Sequence, residues 1–241
     1  MTVEPDATTG GVDSGSLTFC QRENHVLCAQ FESTTLDNFI ALFPSDQNSN
    51  GGTHTRSTVV AREGTGSLLT QIPAGVLGFS AAQRKVSVSG YKALTIKFDI
   101  FPEKIPIATD VLTLFFIQYG NDTTGQYLTI TFDTSGTTLS MQANVSGTSK
   151  GYIDAQKAFT VAKWTHVDMS VSISATGTAL RLDLTPDGGA TTTAINTTLA
   201  AATNSMIGTL VTNISPGIHH YNGNAGSPEY KYYFDNLAVD Y

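Results

Sequence analysis

The chain has 241 residues, of which 14% are charged, and a formal net charge of -7. Its 13 lysines and arginines form no basic stripe, which argues against nucleic acid or an anionic membrane surface as a partner. No apolar run reaches the roughly 18 to 20 residues that a membrane-spanning helix requires, so we expect no membrane insertion. A chain of this length is sufficient for one large β-sandwich core.

Thr, Gly, Asp and Ser fill residues 1–16, a composition typical of a disordered tether. We therefore predict a tether over residues 1–16 and a single domain over residues 17–241. The first residues lack the basic and apolar regions of a signal peptide. We expect a secreted, cell-surface or periplasmic protein whose signal segment is absent from this sequence.

Two cysteines, Cys20 and Cys28, lie eight residues apart where the tether ends. They flank the polar turn Gln21–Asn24, and this arrangement favours a disulfide over two free thiols. So small a loop contributes at most about 2 to 3 kcal/mol in the loop-entropy model. Such a bond would fasten a terminal segment rather than define the fold.

Alternation of apolar and polar residues recurs along the chain, with turn sequences between the segments, and indicates half-buried strands of an antiparallel sandwich. In Val111–Tyr119 apolar residues occupy both faces, so we predict a central strand covered on both sides. Residues 198–207 could form a short helical turn. The clearest alternating segments are Leu94–Ile100, Leu128–Phe132, Leu139–Ala143, Val167–Ile173 and Leu180–Leu184.

The last segment, Tyr230–Tyr241, is also predicted to be a strand. Strict alternation would place Asp235 on the same face as Tyr233, Leu237 and Val239. A carboxylate on an apolar face is costly unless hydrogen bonds, a cation or a metal compensate for it.

Short segments at both ends and in the middle of the chain carry a family resemblance. Cys28–Glu32, Gly64–Leu69 and Phe234–Val239, together with Trp164–Met169 and the hairpin Leu180–Gly188, resemble the concanavalin A-like jelly rolls, particularly laminin-G-like bacterial domains. The resemblance implies an all-β fold of two antiparallel sheets in a jelly-roll sandwich.

The ends of the chain are also similar to those of carbohydrate-binding modules with a galactose-binding-like jelly roll. Both families imply that the first and last strands are neighbours. The second also implies a structural calcium ion, whose carboxylate ligands would here be Glu32 and Asp235. The alternative is that Asp235 bonds to backbone amides and a tyrosine hydroxyl, while Glu32 is solvated.

Enzymes on this scaffold need paired carboxylates or a Tyr, His, Arg and Gln set, and neither is recognisable here. Asp99 with Glu103 and Asp183 with Asp187 are the nearest acidic pairs, and both are more typical of turns. We therefore assign no catalytic residues and predict that the protein is not an enzyme. The alternative is a polysaccharide lyase or glycoside hydrolase with a diverged site.

Sugar binding requires aromatic side chains beside amides and hydroxyls, and two segments fit this description. The first is the predicted loop 218–226, with His219, Tyr221, Asn222 and Asn224, and the second contains Tyr119 and Tyr127. Ordinary surface loops are the alternative for both. The sequence thus favours a non-catalytic, lectin-like module whose partner is a glycan or a surface protein, with a purely adhesive domain as a further alternative.

Overall fold

The computed structural model describes residues 18–87, 93–121, 126–136, 138–145, 148–155, 157–174, 177–200, 211–222 and 225–241. These residues form two short helices, α1 (Phe19–Arg22) and α2 (Asp37–Leu42). They also form the strands β1 (Leu27–Ala29), β2 (Ser45–Asp46), β3 (Thr53–Ser57), β4 (Ser67–Ile72), β5 (Gly78–Ser87), β6 (Ala93–Pro102), β7 (Val111–Asn121), β8 (Gln126–Ser135), β9 (Thr138–Val145), β10 (Thr148–Asp154), β11 (Thr165–Ile173), β12 (Gly177–Pro186), β13 (Thr192–Ala200), β14 (Val211–Asn222) and β15 (Tyr230–Asp240).

The strands make two antiparallel sheets. One has eight strands in the order β13-β12-β11-β6-β15-β4-β3, with β1 paired to β15, and the other has seven in the order β10-β9-β8-β7-β14-β5-β2. The predicted all-β, two-sheet sandwich is confirmed. No helix in the described part of the chain is long and apolar enough to cross a membrane.

The sheets form where the sequence alternates, because each strand buries its apolar face against the other sheet. In β11, Val167, Met169 and Val171 are fully buried, while the residues between them are partly exposed. The five alternating segments predicted above all lie within strands, namely β6, β8, β9, β11 and β12. Val111–Tyr119 lies in β7 between β8 and β14, so its predicted central position is confirmed. The predicted cover on both sides is wrong, because Phe116 and Gln118 are partly exposed on the outer face of the sheet. Leu114 and Phe115 are both buried because the register is irregular between Thr113 and Phe115.

Aromatic rings fill the space between the two sheets. Phe98 from β6 stacks on Phe115 from β7 with ring centroids 5.7 Å apart, and Phe132 and Phe234 pack around Phe98. All four rings are fully buried. Truncating a buried Phe to Ala typically costs about 3 to 5 kcal/mol, so this cluster is a major source of stability.

The two ends of the chain meet in the eight-stranded sheet. Strand β1 pairs with the last strand, β15, with Leu27 opposite Val239. The predicted disulfide is confirmed, since Cys20 and Cys28 are bonded and connect α1 to β1. The predicted tether lies outside the described residues.

The predicted helical turn is wrong in its first part. Residues 198–200, the first part of the predicted helical turn, belong to strand β13, where Thr198 pairs with Ala179 of β12. Pairing along the hairpin of β12 and β13 satisfies their backbone groups in the sheet, and this outweighs the local helical preference of an alanine-rich stretch. Residues 201–207 lie outside the described residues.

The last strand, β15, contains a β-bulge that the alternation of its residues does not predict. Before the bulge Phe234 points into the core, and after it Leu237 does. The register against β6 shifts between Asp235 and Ala238, and Asn236 has a positive φ of 50°. An extra residue in one strand reverses the alternation of side chains beyond it.

This bulge corrects the predicted orientation of Asp235. Asp235 lies with Tyr233 on the outer face of the sheet, whereas Leu237 and Val239 point into the core. The predicted shared face with Leu237 and Val239 is therefore wrong, because strict alternation does not hold across Asn236. Asp235 is nonetheless fully buried, since other segments cover it from outside.

Candidate functional site

The outer face of the seven-stranded sheet carries mainly polar side chains, aligned across the strands. Ile117, Ile130 and Ile214 point into the core, so the residues beside them point outward. The register aligns these outward residues in three rows, and we call this surface the polar face. The first row is His219, Thr113, Asp133, Ser140 and Asp154; the second is Ser215, Phe116, Thr131, Gln142 and Tyr152; the third is Asn213, Gln118, Thr129 and Asn144.

Strand β5 extends the polar face at one end. Its Phe79 pairs with His219 of the first row, and its Lys85 pairs with Asn213 of the third. From β5 to β10 the face crosses six strands, which is about 24 Å at the usual spacing between strands.

A recess of about 210 Å³ lies at the β5 side of the polar face. Two aromatic rings border its histidine: the ring centroid of His219 lies 5.1 Å from that of Phe79 and 6.3 Å from that of Phe116. Amides and a hydroxyl complete the lining, which consists of Gln47, Phe79, Gln83, Phe116, Gln118, Ser215 and His219. Aromatic surface beside a few polar groups is the usual composition of a small-ligand site.

An amide pair joins β14 to β7 on this face. The side-chain amide of Asn213 donates a hydrogen bond to Oε1 of Gln118 at 2.9 Å. Asn213 is 6% exposed, and its Oδ1 has no hydrogen-bond partner among the described residues. A buried acceptor left unpaired costs about 1 to 3 kcal/mol, so Asn213 is suited to a ligand or water that donates to it.

Asp133 lies near the centre of the polar face and organises its neighbours. Its two carboxylate oxygens accept hydrogen bonds from the hydroxyls of Thr113, at 2.5 Å, and Thr131, at 2.7 Å. Asp133 is 5% exposed, and burial raises its pKa to about 6. Because a hydroxyl has one hydrogen, both threonines present acceptor lone pairs to anything else that contacts them.

His219 lies in strand β14 and not in the predicted loop. The strand continues to Asn222, because residues 218–220 pair with β5, so the predicted loop is wrong over residues 218–222. His219 is 6% exposed, and its Nε2 is 3.4 Å from the hydroxyl of Ser215. Burial lowers the pKa of His219 to about 4, so the imidazole is neutral at pH 7.

The other predicted ligand contacts are distributed differently. Tyr119 lies in the core and is 2% exposed, so it offers no surface to a ligand. Tyr127 lies in β8, and Tyr221 and Asn222 lie at the end of β14, but their side chains are outside the description, as is Asn224 altogether. Among the predicted ligand contacts whose side chains are described, His219 lies on the polar face.

The predicted calcium ligands lie at the opposite side of the molecule. Both carboxylate oxygens of Asp235 are engaged, since they accept hydrogen bonds from the backbone N–H groups of Arg62 (2.9 Å), Glu63 (3.2 Å) and Asn236 (2.8 Å). Burial raises the pKa of Asp235 to about 7, although these donors favour the ionised form. This bonding matches the alternative in which backbone amides satisfy the carboxylate.

Glu32 lies beside a recess of about 410 Å³ lined by Thr18, Phe19, Arg22, Gln30, Glu32, Glu63, Gly64 and Asn236. Its carboxylate accepts the backbone N–H of Thr65 at 2.6 Å. Gly64 has a positive φ of 62°, which favours glycine, and a Cβ there would lie 1.9 Å from Oε2 of Glu32, so the Glu32 carboxylate would have to move. Oε1 of Gln30 is buried without a hydrogen-bond partner among the described residues, and it is a further oxygen that could face a cation.

No three His, Cys, Asp or Glu side chains converge as a metal cluster anywhere in the described residues. A calcium ion near Glu32 would therefore also need amide, hydroxyl or backbone oxygens. Ca²⁺ commonly takes such ligands, and Gln30 and Thr18 have the right chemistry. The donor set fits calcium better than it fits zinc or another metal that prefers nitrogen or sulfur.

The acidic pairs considered for catalysis are engaged in separate contacts. Each of these carboxylates has a nearby partner that explains its position without a reaction. Their contacts are Asp99 with Asn236 at 2.7 Å, Glu103 with Tyr233 at 2.6 Å, Asp183 with Arg181 at 2.7 Å and Asp187 with Arg62 at 2.6 Å.

Several solved structures have a similar architecture. An endo-β-1,4-glucuronan lyase from the fungus Trichoderma reesei superposes with a TM-score of 0.68 at 11% identity, over 90% of this chain and 95% of that one. The cellulose-induced protein Cip1 gives 0.52 at 12% identity, over 81% of this chain and 91% of the other. A variant of alginate lyase A1-II′ gives 0.50 at 12% identity, over 77% and 84%.

The chain has the concanavalin A-like jelly-roll fold. The fold implied by its short motifs is thus confirmed. At such low identities the likeness to these structures concerns the fold alone. No protein-family model matches the chain, and no curated protein sequence is significantly similar to it.

Proposed function

We propose that this chain is a non-catalytic carbohydrate-binding protein that holds a polysaccharide across its polar face. The observation that supports this most strongly is the alignment of amides, hydroxyls and aromatic rings in three rows over neighbouring strands. Amides and hydroxyls pair with sugar hydroxyls, and Phe79 and Phe116 offer apolar surface for sugar rings. The similar folds of two polysaccharide lyases are consistent with a carbohydrate ligand.

Binding without catalysis fits the chemistry of the face better than a reaction does. Glycoside hydrolysis needs one carboxylic acid and one carboxylate free to act on the substrate, but both oxygens of Asp133 are occupied by threonines. Eliminative cleavage needs a base with a pKa near the working pH, and that of His219 is lowered to about 4. No arginine stands in the three rows to offset a substrate carboxylate.

We expect Phe116→Ala and Gln142→Ala each to weaken polysaccharide binding by about tenfold, which corresponds to about 1.4 kcal/mol. Both side chains lie half-buried in the second row, so each replacement removes contact surface without emptying the core. Affinity electrophoresis against a panel of soluble polysaccharides identifies a ligand, and calorimetry measures its affinity. Asn196→Ala, on the exposed part of β13 in the other sheet, is the matched control.

Two results would contradict this proposal. One is a folded wild-type chain that binds no polysaccharide of the panel. The other is release of reducing ends or of unsaturated sugars on incubation with a bound polysaccharide, which would make the protein an enzyme. If the wild type, Phe116→Ala and Gln142→Ala bind a polysaccharide with equal affinity, the binding site does not lie on the polar face.

We also propose a structural calcium ion beside Glu32, supported by the unpartnered Oε1 of Gln30 in the same recess. Both oxygens of Asp235, the second ligand expected from the sequence, already accept hydrogen bonds from backbone N–H groups, so the proposal does not include Asp235. When bound, the ion would fasten the N-terminal segment to the last strand. Calcium at about 100 times its dissociation constant would stabilise the fold by about 2.7 kcal/mol. We therefore expect the melting temperature to fall in EDTA, to recover with calcium and not to respond in Glu32→Gln; an unchanged wild-type midpoint would count against the site.

A secreted or cell-surface location is part of the same proposal. The disulfide between Cys20 and Cys28 supports it, because such bonds persist in oxidising compartments. An extracellular location would also give the polar face access to polysaccharides outside the cell. Fractionation of the producing cells followed by immunodetection tests it, and recovery of the protein from the cytosol alone would contradict it.

A further inference from the structure

We infer that the polar face selects neutral, hydroxyl-rich polysaccharides over polyuronates, an inference that rests on the proposed glycan binding. Neutral sugars and uronates differ at a carboxylate, which accepts hydrogen bonds and carries negative charge. Hydrogen-bond donors and positive charge on the polar face would therefore favour uronates, whereas acceptors and negative charge would favour neutral sugars. The side chains of the three rows show which of the two conditions holds.

Hydrogen-bond acceptors on the polar face favour a ligand that carries hydroxyl donors. Oδ1 of Asn213 is buried and unpartnered among the described residues, because the amide of the same side chain already donates to Gln118. Because this oxygen is closed to solvent in the free chain, a ligand reaches it only when the Asn213 side chain turns outward; a sugar hydroxyl can then donate to it, whereas a carboxylate has no hydrogen to give. A carboxylate placed against Oδ1 of Asn213 could not donate a hydrogen bond to it. The two oxygens, both acceptors, would repel each other.

Acceptors that only a hydrogen-bond donor can pair with are also present at the centre of the polar face. The hydroxyl hydrogens of Thr113 and Thr131 are directed to Asp133, so these threonines have acceptor lone pairs left for a ligand. Asp133 thus positions both threonines without touching the ligand itself. Together with Asn213 they give the face acceptors in its first, second and third rows, which hydroxyl donors can match.

The charge of the polar face also disfavours an anionic ligand. Among the described side chains of the three rows and their β5 neighbours, the carboxylates are Asp133 and Asp154, and the cation is Lys85 at the β5 edge. His219 adds no positive charge, since its burial keeps the ring neutral at pH 7. The chain as a whole carries a formal charge of -7, so long-range attraction of a polyanion is also lacking.

Binding measurements with polymers of matched length test the inference directly. The probes are two neutral polymers, a soluble β-glucan and a glucomannan, and two polyuronates, polyglucuronate and alginate, each at low and at high salt. We expect a neutral polymer to bind, both polyuronates to bind at least about tenfold more weakly, and neutral binding to be insensitive to salt.

The outcomes separate this inference from the proposed function. Tighter binding of either polyuronate than of both neutral polymers overturns the selectivity while leaving glycan binding intact. Binding of none of the four overturns the selectivity as well, and if the wider polysaccharide panel is also negative, the proposed function fails with it. Equal affinity for the neutral and acidic polymers overturns the selectivity alone.

Two variants locate the selectivity on the named acceptors. Asn213→Ala removes the buried Oδ1, and Thr131→Val removes a hydroxyl while keeping the shape of the side chain. We expect each to lower neutral-polymer affinity by about tenfold and to narrow the gap to the polyuronates, with Asn196→Ala as the control. Thr131→Val keeps the test available if Asn213→Ala does not fold, and unchanged selectivity in folded Thr131→Val would overturn the role of these acceptors.

Discussion

Asp235→Ala is expected to lower the free energy of unfolding by about 3 to 5 kcal/mol, among the largest effects of any single replacement in this chain. The Asp235 carboxylate is fully buried and accepts hydrogen bonds from three backbone N–H groups, those of Arg62, Glu63 and Asn236. Alanine leaves these donors unsatisfied and opens a small cavity beside them. Equilibrium denaturation with urea measures the loss.

Two further variants show whether hydrogen bonding is the cause. Asp235→Asn keeps one side-chain oxygen as an acceptor, so we expect it to lose less stability than Asp235→Ala. Asp168→Ala removes a half-buried aspartate from β11 in the same sheet, and we expect a loss of about 0.5 kcal/mol or less there. Equal losses for all three variants would contradict the role given to the backbone donors.

The titration of Asp235 adds a pH dependence of known sign. Burial raises its pKa in the folded chain to about 7, above the value of about 3.9 expected when unfolded. Between these values the folded chain holds a proton that the unfolded chain has released. The contribution of Asp235 is therefore present at acid pH and is lost as pH rises through about 7, with a slope of up to about 1.4 kcal/mol per unit.

Asp235→Asn isolates this contribution, because Asp133 and His219 titrate equally in both chains. We expect the unfolding free energy of the wild type, minus that of Asp235→Asn, to decrease between pH 4 and pH 7. Denaturation curves for both chains across this range provide the measurement. Parallel pH profiles would contradict the raised pKa of Asp235.

The alternation of apolar and polar residues predicted most of the fold, because each strand buries one face and the period of two is strict within regular strands. It failed at Asp235, where Asn236 adopts a positive φ and the extra residue reverses the faces. Nothing in the alternation of Tyr230–Tyr241 signals this bulge. Asn tolerates the left-handed region better than most residues, so its presence was a weak hint that the pattern of buried residues did not reinforce.

The candidate site was harder to predict than the fold, because its residues come from strands that are distant in sequence. Gln118 on β7 and Asn213 on β14 bond to each other only through the pairing of these two strands. Their outward position follows from the alternation, but their neighbours follow from the order of the strands. His219 was selected for its aromatic and polar surroundings, although the predicted loop is in fact a paired strand.

Asp133 illustrates what the sequence shows and what it leaves open. It directly follows the predicted alternating segment Leu128–Phe132, and the strand continues past it to Ser135. The alternation of β8 gives its outward orientation. The hydrogen bond from the Thr113 hydroxyl to Asp133 depends on the register between β7 and β8. This register is irregular between Thr113 and Phe115.

Gly217→Ala is expected to lower the free energy of unfolding by about 4 kcal/mol and to abolish polysaccharide binding in any fraction that folds. Gly217 lies in β14 between Ser215 and His219. Its φ is 126°, a backbone conformation that is unfavourable for residues with a Cβ. A Cβ there would lie 2.3 Å from the carbonyl oxygen of Ser80 and 2.6 Å from Cα of Ala81. Both contacts are with backbone atoms of β5, so no side chain can rotate to relieve them.

Gly188→Ala is the matched control, because it separates backbone strain from steric contact. Gly188 also has a positive φ, of 70°, but a Cβ at this position would meet nothing within 4 Å. We expect Gly188→Ala to cost about 1 kcal/mol, the strain of a left-handed conformation. A similar loss in the two variants would show that strain alone sets the cost. A much larger loss at Gly217, with the binding defect confined to that variant, would show that close approach of β14 to β5 holds His219 and Asn213 in the polar face.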